Sequence, residues 1–382
     1  MAMTTAALYK EKNIKSSRKI PSIPQEIIFD VFSWLPVKSL MRFKCISKFF
    51  SSLISKSEFM DIHLCHSRTR TKLLAHERGV FEGRDFFYTI EQNQDGKASL
   101  LHIEDFLCRV IWYMSEYLEC ANGVFCFWKD ARQPVYICNP STREIKPLPY
   151  IDNPFESFYS LGFEPIEKIY KVLFTRIVRS QISSRNWVFT LDGNKSWKEI
   201  ESVPEFYRAE RVCINGVIYM LNGKEHKQNM VAFDLKAESF RIISLWKALH
   251  RYKHFYDLID VKGKLAVFEN TIINGEVNMW ILEKGQHERW ERHIIIDFPV
   301  VPEEVKYPIK FFWSQTYDEG IIFIAKVKGE KFSYFFYDVT RKSWKGCEIQ
   351  GLYQRGRMFG AIYSWVESLF PLKKVSNAHR RV

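Results

Sequence analysis

Six times between residue 86 and the C-terminal region the chain repeats one short grammar: an apolar strand, a turn built on Asp, Asn or Gly, a few polar residues, then an apolar anchor. The instances are "FFYTIEQNQDGKASLL", "VYICNPSTREI", "WVFTLDGNKSW", "MVAFDLKAESF", "MWILEKGQHERW" and "YFFYDVTRKSW". Their anchors Leu101, Ile145, Trp197, Phe240, Trp290 and Trp344 stand 44, 52, 43, 50 and 54 residues apart. A second element, a turn entering a strong strand, recurs upstream of the anchors in "CANGVFCFW", "GFEPIEKIYKVLF", "CINGVIYML", "VKGKLAVFE" and "YDEGIIFIA". A third precedes it at Tyr113, Tyr159, Tyr207, Tyr256, Trp313 and Phe359, spaced by 46, 48, 49, 57 and 46 residues. Repeats of this length hold about four strands, which is what a β-propeller blade requires, because a four-stranded sheet buries both faces only by stacking on neighbours. The pattern predicts a mainly β chain of six blades. The stretch "MFGAIYSWVESLF" adds a lone strand that would join the first blade and close the ring, removing exposed edges. A β-sandwich with long loops is the competing architecture.

The recurring aromatics have two readings. Phe158, Tyr159, Tyr207, Arg208, Phe255, Tyr256, Phe312 and Trp313 could ring one mouth of the channel and grip a protein target, since such anchors dominate binding energies. Alternatively the aromatic at each position starts an inner strand and packs between blades.

Before the repeats comes "LPVKSLMRFKCISKFFSSLI", Leu35 to Ile54, too apolar for so short a piece to satisfy by itself. Leu40, Phe43, Ile46, Phe50 and Leu53 recur at steps of three and four, the spacing of a helical region. Upstream, Ser22 and Gln25 read as a capping box with Pro24 in the first turn. Ile27, Ile28, Val31, Phe32 and Leu35 read as one apolar face before Pro36 resets the chain. A second helix through Leu40 and Phe43 and a third from near Ser47 complete a three-helix unit too small to stand alone. One face of it seeks a partner, either the rest of the chain or another protein.

The segment "IPSIPQEIIFDVFSWLPVKSLMRFKCISKFFSSLISKSEFMDIHL" resembles the F-box in its plant form. The matching positions are Pro24, Glu26, Ile27, Leu35, Pro36, Leu40, Arg42, Phe43, Ser47, Lys48, Phe50, Leu53, Ile54 and Phe59; Phe50 stands where Trp is commonest and Ile23 where Leu is usual. The body, with "VYICNPSTREIKPLP" and "LGFEPIEKIYKVLF", is similar to the F-box-associated domain of the same plant proteins. The resemblance implies an F-box over 21–66 and an associated propeller-like domain over 67–370; the charge distribution reads 1–20 as a basic flexible tail and 371–382 as a basic tail. It implies a non-enzymatic substrate receptor of an SCF-type ubiquitin ligase, with the F-box docked on a Skp-type adaptor and through it on cullin and RING subunits. The propeller would hold an unidentified protein target. Pro24, Ile28, Leu35, Pro36, Leu40, Phe43, Phe50 and Ile54 would then be divided between a helical core and the adaptor surface, and periodicity leaves open which face outward. Two alternatives stand beside this reading: a pollen-type S-locus receptor for pistil ribonucleases, and a propeller-fold hydrolase using acids such as Glu164, Glu210, Asp260 and Asp318.

Charge and cysteine usage narrow the classes further. The formal net charge is +12, but Lys10, Lys12, Lys15, Arg18 and Lys19 against Glu11 place +4 in the first 20 residues, and Lys373, Lys374, Arg380 and Arg381 place +4 in the last 12. The remaining +4 over the body is too little for a phosphate-binding face, so no nucleic-acid partner is expected. Eight cysteines without a CxxC pair point to reduced thiols in cytoplasm or nucleus. No apolar run approaches the roughly 18 residues of a membrane span. No P-loop, GxSxG, GxGxxG or RING spacing occurs, so no cofactor or metal is expected. "HLCH" at His63–His66 and "HERWERH" at His287–His293 have the wrong spacing for zinc and read as loop or surface histidines. Cys45 reads as a small buried side chain on a helix.

Overall fold

The computed structural model describes residues 23–70, 72–79, 85–92, 98–102, 117–128, 134–151, 157–178, 183–191, 193, 196–201, 210–224, 227–245, 256–269, 276–284, 288–295, 310–314, 320–327, 331–338, 341–350 and 357–372. Four helices come first: α1 (Gln25–Ser33), α2 (Val37–Ile46), α3 (Lys48–Ile54) and α4 (Ser57–Arg68). The fourth exceeds the three read from the sequence. Nothing between Ser57 and Arg68 breaks a helix, and Phe59, His63, Leu64 and Ser67 share its buried face. Pro24 is the N-cap of α1 without a side-chain bond, Ser22 lies outside the described residues, and Pro36 is the N-cap of α2. Ser47 caps α3, its hydroxyl accepting from the Phe49 amide at 3.1 Å.

The strands are β1 (Lys72–Gly79), β2 (Asp85–Gln92), β3 (Ala98–His102), β4 (Tyr117–Ala121), β5 (Val124–Trp128), β6 (Tyr136–Asn139), β7 (Glu144–Pro147), β8 (Ser157–Glu164), β9 (Ile169–Val178), β10 (Ser183–Thr190), β11 (Lys198–Ile200) and β12 (Arg211–Ile214). They continue with β13 (Val217–Lys224), β14 (Lys227–Asp234), β15 (Ser239–Ile243), β16 (Tyr256–Val261), β17 (Lys264–Glu269), β18 (Val277–Lys284), β19 (Glu288–Ile295), β20 (Lys310–Ser314), β21 (Gly320–Val327), β22 (Lys331–Asp338), β23 (Ser343–Gln350) and β24 (Arg357–Trp365).

Successive fours pair antiparallel into blades, β4 to β7, β8 to β11, β12 to β15, β16 to β19 and β20 to β23, while β1 to β3 take β24 as their inner strand. The result is a six-bladed propeller, as the repeat predicts, and the sandwich alternative falls away. Closure is made by β24, which runs antiparallel to β1 from Lys72 opposite Trp365 to Gly79 opposite Arg357. A parallel pairing of Ile349 with Ala98 and Gln350 with Ser99 joins the last and first blades at their outer strands as well.

The recurring turns fold for one physical reason each. Between first and second strands, Asn122-Gly123, Asn215-Gly216 and Lys262-Gly263 have positive φ at both positions, the two-residue hairpin whose twist matches its strands. Gly123 could carry no side chain, since a Cβ there would stand 2.2 Å from the Val366 carbonyl oxygen. Between third and fourth strands, Asn139, Asp234 and Asp338 accept backbone amides with their side chains, and Arg143, Glu238 and Lys342, each four residues on, adopt positive φ. The anchors then reach sideways: the indoles of Trp197 and Trp290 donate to the carbonyls of Pro149 and Ser244 on the preceding blades, at 2.8 and 3.0 Å.

Charged groups also tie blades together. Lys171, buried on β9, donates to the Leu235 carbonyl at 2.7 Å and to Glu238 at 2.8 Å, and Lys198 reaches the other Glu238 oxygen at 2.6 Å. Burial would raise the Glu238 carboxyl, but the two lysines more than offset it and hold it below the ordinary glutamate range. A carboxyl depressed in the folded state contributes stability that is complete above its unfolded pKa and fades as pH falls through the folded value. Glu238→Gln is therefore expected to destabilise the protein by about 1–3 kcal/mol at neutral pH and to flatten the acid limb of a plot of melting temperature against pH. An acid limb identical to wild type would show that this junction does not contribute to acid sensitivity.

Candidate partner-binding surfaces

The four helices close around a core of Val37, Leu40, Leu53, Ile54 and Phe59. Phe29 meets Phe59 edge-on at 5.2 Å, and Phe32 stacks on Phe50 and tilts against Phe43, both at 4.8 Å. Helix α1 is therefore apolar on two sides. Ile28, Phe32 and Leu35 pack inward, whereas Ile27 and Val31 do not share that face and stand about half exposed, at 53% and 52%. With Ile23 and Trp34 they form an outward stripe at helical spacing, and Ile46 and Phe49 expose further apolar surface at the junction of α2 and α3.

Trp34 is the fixed end of that stripe. Its ring stacks on His66 at 3.7 Å, and Arg70 lies over its other reach at 5.6 Å while donating to the Trp34 carbonyl at 2.7 Å. An aromatic held this way loses little freedom on binding.

Of the residues assigned to an adaptor by resemblance, Pro24 and Pro36 are exposed, and Ile28, Leu35, Phe43 and Phe50 are half-buried. Leu40 and Ile54 are fully buried and serve the helical core, because their positions point at the crossing of α2, α3 and α4. The outward set Ile23, Ile27, Val31, Trp34, Ile46 and Phe49 was missed as a set. Its signal was present: α1 carries more apolar residues than one buried stripe accommodates.

On the propeller, Phe158, Tyr159 and Tyr256 are buried between blades, at 3%, 2% and 6% exposure. The Tyr159 ring lies against Trp128, Phe174 and Trp197, so it is a packing residue, as the second of the two readings has it. Tyr207, Arg208 and Phe255 lie outside the described residues. Phe312 and Trp313 belong to β20, and their side chains lie outside the described set.

Inside the ring, Glu119 of β4 pairs with Arg211 of β12 at 2.5 Å and accepts the Leu161 amide of β8 at 3.3 Å, joining three blades. Burial raises the Glu119 carboxyl, and Arg211 pulls it back. The Arg211 guanidinium also lies 4.8 Å over the Phe158 ring.

Of the acids named for a hydrolase, the buried Glu164 and the partly buried Asp260 serve turns. Glu164 accepts the Ile166 and Glu167 amides, and Asp260 accepts the Gly263 amide, so each holds a turn at the end of a different inner strand. Glu210 is exposed beside the start of β12, and Asp318 lies outside the described residues. Burial pushes the Cys120 and Cys138 thiols up to about 12 and Cys213 up to about 11, which leaves no thiolate there at neutral pH. Cys45, read as buried, is exposed, since its side of α2 faces away from the helical core.

His63 is likewise neither in a loop nor on the surface. It is buried in α4, with Nε2 3.0 Å from the Leu35 carbonyl, and burial lowers its pKa. His293 is exposed on β19 and His287 lies outside the described residues. Among the described residues no group of three His, Cys, Asp or Glu could hold a metal, and no helix is long and apolar enough to cross a membrane.

Both the helical and the propeller parts of the chain match known domain families. Residues 20–61 match the F-box domain, and residues 72–371 match the F-box associated beta propeller domain. Three similar proteins of Arabidopsis thaliana are F-box protein At5g65850, 28% identical over 90% of this chain and 88% of its own length, F-box protein At1g67130, 29% identical over 94% and 80%, and F-box protein DOR, 28% identical over 86% and 88%. Among solved structures, TolB from Acinetobacter baumannii overlays with a TM-score of 0.47 at 10% identity, over 79% of this chain and 72% of that one.

Proposed function

The chain belongs to the plant F-box proteins that carry an F-box associated β-propeller, and from that membership we propose that it is the substrate-recognition subunit of an SCF-type ubiquitin ligase. The observation that carries the reading is the outward stripe Ile23, Ile27, Val31 and Trp34, left uncovered by a helical domain whose own core is already filled. Such a surface fits a protein partner, here a Skp-type adaptor that brings cullin and RING subunits. Burying four such side chains yields roughly 6–12 kcal/mol of gross driving force, against association costs of about 4–15 kcal/mol. Preorganisation therefore decides the affinity, and the pinned Trp34 supplies part of it.

The helices contact the ends of the blades that carry the first-to-second-strand turns, through Arg68 to Asn122 at 3.3 Å and Lys168 to Ser57 at 2.6 Å. The opposite face, where the inner strands begin, is left for the target. The chain's contribution to ubiquitin transfer is then effective concentration, without a catalytic residue of its own, and its place of action is cytoplasm or nucleus.

The test is co-expression with a plant Skp-type adaptor, then addition of cullin and RING subunits. A one-to-one complex that enters the larger assembly is the expected result. Failure of the wild-type chain to bind any of a panel of adaptors overturns the reading.

A further inference from the structure

The seven residues after β24, 366–372, form no helix or strand, yet Ser368, Leu369, Phe370 and Leu372 are buried, the last three at 6%, 3% and 3% exposure. One side of this segment is bound to the propeller. Asn139 Nδ2 donates to the carbonyls of Ser368 and Phe370 at 3.0 and 3.1 Å, the Ser368 amide donates to Ser141 Oγ at 3.2 Å, and the Leu372 amide donates to Glu144 at 3.1 Å. The Phe370 ring packs 5.2 Å from Phe163. The other side faces the helices. Leu369 belongs to the same core as Val37, Leu40, Leu53, Ile54 and Phe59.

Glu367 supplies what the local sequence of α2 lacks. Its N-cap, Pro36, has no side-chain oxygen, and the Val37 amide donates instead to Glu367 Oε2 at 2.8 Å, across 330 residues. A carboxylate there satisfies an orphan donor and meets the positive end of the helix dipole. A helical unit of this size is too small to bury enough surface alone, and the segment adds both an apolar plug and a cap.

We propose that residues 366–372 are a strap that completes the F-box fold and fixes its orientation on the propeller, so that adaptor binding depends on the chain's C-terminal region. The adaptor arm of the test rests on the ligase reading; the exchange arm does not. Leu369→Asp and Glu367→Ala are made in the full-length chain, and amide hydrogen exchange is followed by mass spectrometry. Exchange across α2 and α3 is expected to rise at least about tenfold in Leu369→Asp, and by about three- to tenfold at the start of α2 in Glu367→Ala, with β5, β9 and β13 unchanged. Adaptor Kd is expected to rise at least about tenfold for Leu369→Asp. Ending the chain after Leu372 is expected to change neither.

Wild-type exchange in the helices of Leu369→Asp overturns the proposal. If that variant also loses protection in the blades, Glu367→Ala decides, since it removes no apolar contact, and wild-type exchange at the start of α2 overturns the proposal. Faster helical exchange in a chain whose wild type binds no adaptor would support the strap and refute the ligase reading.

Discussion

A chain ended after residue 356 is expected to be recovered as aggregate or as a non-cooperative collapsed state. It lacks β24, the inner strand of the first blade, and with it the eight register partners from Lys72 opposite Trp365 to Gly79 opposite Arg357. Trp365, 8% exposed, and the Tyr363 ring, 6.0 Å from Phe125 of the next blade, leave with it. Removing even one buried aromatic costs about 3–5 kcal/mol, while the whole native state is stable by only about 5–15 kcal/mol. The truncation also uncovers the edge of β1, which carries the apolar pair Leu73 and Leu74 and offers unpaired backbone groups to another chain. Trp365→Ala in the full chain separates the two effects: it keeps the ladder and is expected to lower stability by about 3–5 kcal/mol without aggregation. Size-exclusion chromatography and thermal denaturation read both. A monomeric truncated chain with a sharp melt would show that the propeller does not need this closing strand.

The propeller was legible because a blade must repeat. The positions that make it repeat are turn residues with physical requirements visible in one-letter code: the glycines at 123, 216 and 263 at positive φ, and the Asn or Asp at 139, 234 and 338 that folds the next turn. The closing strand was legible because "MFGAIYSWVESLF" was left over once the other strands were assigned. The fourth helix was not, because the polar "HLCH" inside the 21–66 segment reads equally well as loop or surface histidines. Two of the four residues on its buried face, His63 against the Leu35 carbonyl and Ser67, are polar, so Phe59 and Leu64 alone mark that face in one-letter code. Contacts between segments far apart in sequence were hidden altogether. Nothing in "VESLFPL" announces that Glu367 caps a helix that begins at Val37. The direction in which α1 faces was hidden for a related reason: Ile27 and Ile28 are equally apolar, and only the position of α4 decides which is covered.

That division between covered and uncovered residues gives the most decisive comparison within the helical domain. Leu40→Ala empties a fully buried position and is expected to cost about 2–5 kcal/mol, more than a four-helix unit of this size spares, so helical signal and adaptor binding should be lost together. Ile27→Asp combined with Val31→Asp places charges where both side chains are already half exposed. Surface changes of this kind cost within about 0.5 kcal/mol each, so the melt and the helical signal should stay near wild type. Adaptor affinity should nonetheless fall about 100-fold or more, because two apolar contacts become desolvated charges at the centre of the interface. Binding measured by calorimetry and folding measured by circular dichroism distinguish these cases. If the double variant binds as wild type does, the adaptor must sit on the exposed Pro24 and Pro36 side with Ile28 and Leu35, and the outward stripe of α1 is left without a role. If Leu40→Ala keeps its helices but loses binding, Leu40 reaches the partner through a rearrangement, and the filled core on which the outward assignment rests is the feature to abandon.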